Sequence, residues 1–223
     1  SSDVCSSDLA SVVCKGADLS EMGSLQFGYY LGPDGHANVG GHLQHIQWQS
    51  DYRYNDYSGK WALGYVHFSG DGQFKYINPT YGTPSYRLLV GSIQAHRPIA
   101  LLPHLNMGLD MVTNLNCGMA SSEKMGFGFS VDVGQLNKVG DWTYGYTYAS
   151  VGRFAVIAPY ANADWVSWGT ALQKDASGYR GHQIRLAVQL KKHLIATNRF
   201  YFVEGIEDAK AQNRYRLDLT YAF

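Results

Sequence analysis

From Tyr215 to Phe223 the chain alternates apolar and polar residues almost without a break. A period of two marks a β-strand whose faces differ chemically. Tyr215, Leu217, Leu219, Tyr221 and Phe223 fall on one face, and Arg214, Arg216, Asp218 and Thr220 on the other. The same alternation recurs upstream. Over 193–203, Leu194, Phe200 and Phe202 share a face, with Thr197, Arg199 and Tyr201 opposite. Over 181–190, His182, Ile184, Leu186, Val188 and Leu190 oppose Gln183, Arg185, Ala187 and Gln189. Over 141–151, Trp142, Tyr144, Tyr146 and Tyr148 oppose Thr143, Gly145 and Thr147. Over 123–134, Met125, Phe127, Phe129, Val131 and Val133 oppose Gly126, Gly128, Ser130 and Asp132. Over 99–113, Leu105, Met107, Leu109 and Met111 oppose Asn106 and Asp110. Looser patterns cover 84–96, 60–69, 40–54 and 22–31, giving about ten strands, neighbours in chain order and antiparallel.

The connections sort into two kinds. Residues 191–192, 135–140, 97–98 and 55–59 are short turns. Residues 204–212, 152–180, 114–122, 70–83 and 32–39 are longer, and the two kinds alternate. Short turns at one end and long loops at the other are the habit of transmembrane β-barrels. A soluble sandwich has no reason to keep this alternation, and its core would favour Val, Ile and Leu over the 17 Tyr and 25 Gly here. Aromatic rings prefer the two membrane–water interfaces. They are expected at one rim from Trp142, Tyr221, Tyr52 and Tyr54, and at the other from Tyr29, Tyr30, Phe68, Tyr148 and Tyr215.

Composition agrees without adding detail. The formal net charge is zero, so nothing suggests a nucleic-acid partner. Mean hydropathy is slightly negative and no long apolar run exists, as expected if only alternate residues meet lipid. The opening Ser1-Ser2-Asp3-Val4-Cys5-Ser6-Ser7-Asp8-Leu9 nearly repeats itself and reads as translated sequencing adapter. Residues 1–9 are therefore expected to be non-native and 10–223 to be the carboxyl-terminal portion of a larger barrel. In that case the 22–31 strand should form an unpaired edge, or close only onto 213–223. Cys14 and Cys117 have no metal-like spacing, and stand as unpaired residues or as a disulfide.

A strand ending on a carboxyl-terminal phenylalanine resembles the closing strand of bacterial outer-membrane barrels. A more specific likeness covers roughly 104–223. His104-Leu105-Asn106-Met107-Gly108-Leu109-Asp110-Met111-Val112-Thr113-Asn114, Lys124-Met125-Gly126-Phe127-Gly128-Phe129 and Gly140-Asp141-Trp142-Thr143-Tyr144-Gly145-Tyr146-Thr147-Tyr148 resemble the bacterial outer-membrane porin family. So do the loop around Asp164 and Gly178-Tyr179-Arg180-Gly181-His182. The resemblance implies an outer-membrane barrel that passes small hydrophilic solutes, with the lipid bilayer as its surroundings and homo-oligomers as an option.

No enzyme motif stands out, and neither a metal site nor a cofactor is expected. His42 and His45, three apart on a strand, point to opposite faces. The informative polar residues are charged. An Arg at the lipid midplane costs ~2–4 kcal/mol, so the faces bearing Arg185, Arg199, Arg214 and Arg216 should look into the lumen. Asp218, Asp132 and Asp110 should line it as well. The four arginines form a basic ladder across three strands, which acids must screen. Candidates are Asp164 and Asp175 in the 152–180 loop, and Glu204, Glu207 and Asp208 at the rim. That loop also carries Phe154, Val156, Ile157, Trp165, Val166 and Trp168, too apolar for disorder. It either folds into the lumen as a constriction, with Asp164, Trp165 and Asp175 as its constriction residues, or lies on the rim or a neighbouring protomer. The expected function is passive diffusion of small polar solutes. The alternatives are a filled barrel acting as anchor or adhesin, and a barrel-embedded enzyme.

Overall fold

The computed structural model describes residues 10–18, 23–31, 41–70, 85–99, 102–115, 121–157, 164–166, 168–169, 174–175, 177–207 and 210–222. The alternating pattern becomes one antiparallel sheet of eleven strands in up-and-down order. They are β1 (Ala10–Asp18), β2 (Ser24–Leu31), β3 (Gly41–Tyr54), β4 (Tyr57–Gly70), β5 (Ser85–Ile99), β6 (Leu102–Asn114), β7 (Met125–Gly134), β8 (Trp142–Val151), β11 (Tyr179–Lys191), β12 (Leu194–Gly205) and β13 (Ala211–Tyr221). Between β8 and β11 lies a two-stranded ribbon, β9 (Trp168–Gly169) and β10 (Lys174–Asp175). The only helix among the described residues is the single turn α1 (Ser121–Lys124).

The expected count of about ten strands holds, with eleven in the main sheet among the described residues; the additional one, β1, escapes the alternation because Val12 and Val13 are adjacent and blur its period. Two expectations need correction. The 22–31 strand is consequently not an edge, since β2 pairs with both β1 and β3. The edges are β1 and β13, and among the described residues no pairing joins them, so the sheet is open. The connection expected at 55–59 shrinks to Asn55-Asp56, because Tyr54 pairs with Tyr57. Asn55 has φ of 52°, which Asn tolerates better than most residues.

The register divides the described side chains of the main sheet between two faces. The inner face is the one on which the β8–β11 connection packs. Phe154 and Ile157 from that connection cluster with Phe68, Tyr86 and Leu88 of β4 and β5. Val166 joins Ala149, Tyr179, Tyr201 and Val203 of β8, β11 and β12, with Trp165 alongside. Phe68 was expected at an aromatic rim; it is instead 1% exposed under Phe154, on the inner face. The outer face carries Phe27, Trp48, Leu63, Leu89, Ile93, Leu109, Met111, Phe127, Phe129, Leu186, Phe200, Leu217 and Leu219, all substantially exposed. Among the described residues, its Arg and Glu side chains stand only close to strand ends: Arg87, Arg97, Arg180 and Glu204.

The Gly140-Asp141-Trp142 stretch has a local reason. Asp141 Oδ2 accepts the backbone N–H of Asn137 and of Lys138, both at 3.0 Å, tying the β7–β8 turn. Gly134 and Gly140 flank that turn at φ of 101° and 91°, which a side chain would oppose.

Candidate functional site

The inner face is built by register. One cross-strand row runs His96, Asn106, Asp132, Gly145, Arg185, Arg199, Arg216 through β5 to β8 and β11 to β13. Side chains in such a row stand about 4.5–5.5 Å from their neighbours, and long ones also reach diagonally. Three adjacent arginines would repel strongly alone. Acids interleave them. Arg185 Nη2 donates to Asp132 Oδ1 at 2.6 Å. Arg199 donates to Asp218 Oδ2, and Arg216 Nε to Asp218 Oδ1 at 2.8 Å. Arg216 Nη1 donates to Asp164 Oδ1 at 2.6 Å, and Arg214 Nη1 to the Asp164 backbone carbonyl at 3.0 Å. Four arginines against three aspartates leave one net positive charge. The basic ladder expected from sequence is therefore a largely compensated one.

Gly145 makes the first pairing possible. It stands between Asp132 and Arg185 in the row. A Cβ there would run into the Asp132 carboxylate and lie 3.2 Å from Arg185 Nε. The absent side chain is the gap through which two residues on non-adjacent strands meet.

Above the ladder the long connection lies against the wall. Trp165 stacks on Tyr179 at 5.8 Å between centroids and meets Tyr201 edge-on at 5.6 Å. Asp132, Arg185, Arg199, Gln183, Asp164 and Trp165 share a recess of about 370 Å³. The other end of the connection is fixed differently. Asn114 is 4% exposed; its Nδ2 donates to the Phe154 carbonyl at 3.0 Å and its Oδ1 accepts the Arg87 N–H at 3.4 Å. Ser177 Oγ donates to the Arg153 carbonyl at 2.9 Å, closing the base of the connection.

The structure thus brings together Arg185, Arg199, Arg214, Arg216, Asp218, Asp132, Asp164 and Trp165. Asp110 stays apart: it shares the inner face but stands four residues along β6 from Asn106, roughly 13 Å away at strand rise, and is exposed. Asp175 pairs through its backbone with Trp168 in the ribbon, and its side chain lies outside the described residues. Glu204 is a correction. Parity puts it on the outer face, where it accepts from Arg180 Nε at 2.6 Å. Asp208, like Cys117, lies outside the described residues; Glu207 is exposed.

Sequence reasoning missed the Asp132–Arg185 pair, Gly145, and the buried Asn114. The first two become visible once strands are placed in register, because Asp132, Gly145 and Arg185 then fall in line. Asn114 gave no signal, since its partner is a backbone carbonyl on the long connection.

No family model matches the chain, and a search of curated proteins finds no match.

Proposed function

We propose that this chain forms the wall of a transmembrane antiparallel β-barrel in a bacterial outer membrane, and that it acts as a porin for small hydrophilic solutes. The observation that carries this reading is the contrast between the two faces. The outer face exposes large apolar side chains, with its Arg and Glu residues near strand ends, among the described residues. Burying Arg at mid-membrane costs ~2–4 kcal/mol, so such a distribution is what lipid demands. The inner face carries glutamines, threonines and the compensated ladder, which need water or one another. Strands of 8 to 15 residues reach or exceed the ~9–11 that cross a bilayer at a tilt. The likeness of 104–223 to outer-membrane porins supports the same reading. In it the β8–β11 connection narrows the lumen, and selectivity follows the small positive excess of the ladder.

A second reading, an anchor or adhesin with a filled interior, draws on the burial of Phe154, Ile157 and Val166 on the inner face. Planar-bilayer recording separates the two. A porin gives discrete, salt-proportional conductance steps after insertion. Stable insertion without current leaves the anchor, and failure to insert under refolding conditions that suit barrels rejects both.

A further inference from the structure

We infer that His96 and His104 form a two-imidazole site for a divalent transition metal ion of the Cu²⁺ or Zn²⁺ kind. The two rings stand on the inner face where β5 turns into β6. His104 Nδ1 lies 3.4 Å from His96 Nε2. That is long for an N–H···O-type contact, whose usual range ends near ~3.2 Å. It matches the roughly 3.4 Å that separates two imidazole nitrogens each held about 2.0–2.1 Å from one tetrahedral ion. The ring planes lie within 24° of parallel, with centroids 5.2 Å apart.

Two features prepare the pair. His96 Nδ1 lies 2.8 Å from Asn106 Oδ1, an acceptor, so Nδ1 carries the proton and Nε2 presents its lone pair toward His104. An outer partner of this kind orients metal-binding histidines and fixes their tautomer. His104 sits beside the register shift between Arg97 and Ile99 with φ of 56°, and a bulge of this sort re-aims a side chain. Both rings are half-buried, leaving room for water. Among the described residues no group of three His, Cys, Asp or Glu gathers, so water completes the coordination. The inference is independent of the pore reading.

Titration of the refolded full chain in detergent micelles with Cu²⁺, followed by electron paramagnetic resonance, tests it. The expected result is one ion per chain with hyperfine structure from two equatorial nitrogens. His96→Gln and His104→Asn should each weaken binding at least ~10-fold and leave one nitrogen, and Asn106→Ala should weaken it about 10-fold. His193→Ala, distant in sequence and exposed, should change nothing. Asn at 104 tolerates positive φ, and His96→Gln gives a separate reading in unstrained strand. A one-nitrogen spectrum in the unmodified chain, or unchanged affinity in both His96→Gln and His104→Asn, overturns the site.

Discussion

The β8–β11 connection is held to the sheet at two places by different physics. Against β4 to β6 it is held by apolar burial: Phe154 and Ile157 sit among Phe68, Tyr86 and Leu88, with Asn114 closing one backbone carbonyl. Against β8 and β11 to β13 it adds charge and rings to apolar burial: Asp164 on Arg214 and Arg216, Trp165 on Tyr179 and Tyr201, and Val166 among Ala149, Tyr179, Tyr201 and Val203. The apolar anchor is buried, and the charge beside it is the Arg153 guanidinium, 5.9 Å from the centre of the Phe154 ring. The ion pairs of the second anchor are half-exposed, and they bring Asp164 to a recess that already holds Asp132, Arg185 and Arg199. Position is therefore held mainly by the first, and the chemistry of the inner face is set by the second. Half-exposed ion pairs contribute only ~0–1 kcal/mol each, whereas a buried aromatic ring contributes several.

Substitutions that separate the anchors should rank accordingly, read as urea-unfolding midpoints of the protein refolded into phospholipid vesicles. Phe154→Ala should cost most, about 3–5 kcal/mol, because a 4%-exposed ring leaves a cavity. A loss below about 1 kcal/mol would mean that the apolar anchor does not hold the connection. Asn114→Ala should follow at about 1–3 kcal/mol, since it removes a donor from the Phe154 carbonyl and an acceptor from the Arg87 N–H.

Gly145→Ala acts on the ladder itself. Overpacking between Asp132 and Arg185 should cost about 1–3 kcal/mol. Adding Asp132→Ser to that variant should recover part of the loss, a coupling that independent sites would not show. Asp164→Asn should be mildest, under about 1 kcal/mol, with a difference from the unmodified chain that shrinks in high salt. In a conducting pore, Arg185→Gln with Arg216→Gln should lower the ratio of chloride to potassium permeability, most clearly at low salt, because two positive charges leave the wall while Asp132 and Asp164 stay. Unmoved reversal potentials would place the ladder off the ion path.

Most of the sheet was legible because β7, β8, β11 and β13 alternate cleanly and Arg199 sets the parity of β12, which then fixes faces. Thr197, Arg199 and Tyr201 share the inner face and Phe200 and Phe202 the outer, as alternation requires. Glu204 and Phe68 went astray at strand ends, where parity must be counted across the whole strand and rim position alone misleads. The acids opposite the arginines were partly hidden. Asp218, two residues from Arg216, is a local signal, whereas Asp132 reaches Arg185 only across a glycine on the strand between. The inward fold of the long connection was one of two readings, since its apolar content shows that it packs but not on what.

The proposal that one face of the sheet meets lipid is tested most directly by alternate accessibility along a strand. Single cysteines at 214 through 221, in a chain whose Cys5, Cys14 and Cys117 are replaced, carry nitroxide labels in reconstituted vesicles. Labels at 215, 217, 219 and 221 should relax with dissolved oxygen, and those at 214, 216, 218 and 220 with a water-soluble nickel chelate, in strict period two. Equal exposure of both sets to the nickel chelate would show a water-exposed sheet and contradict the membrane wall.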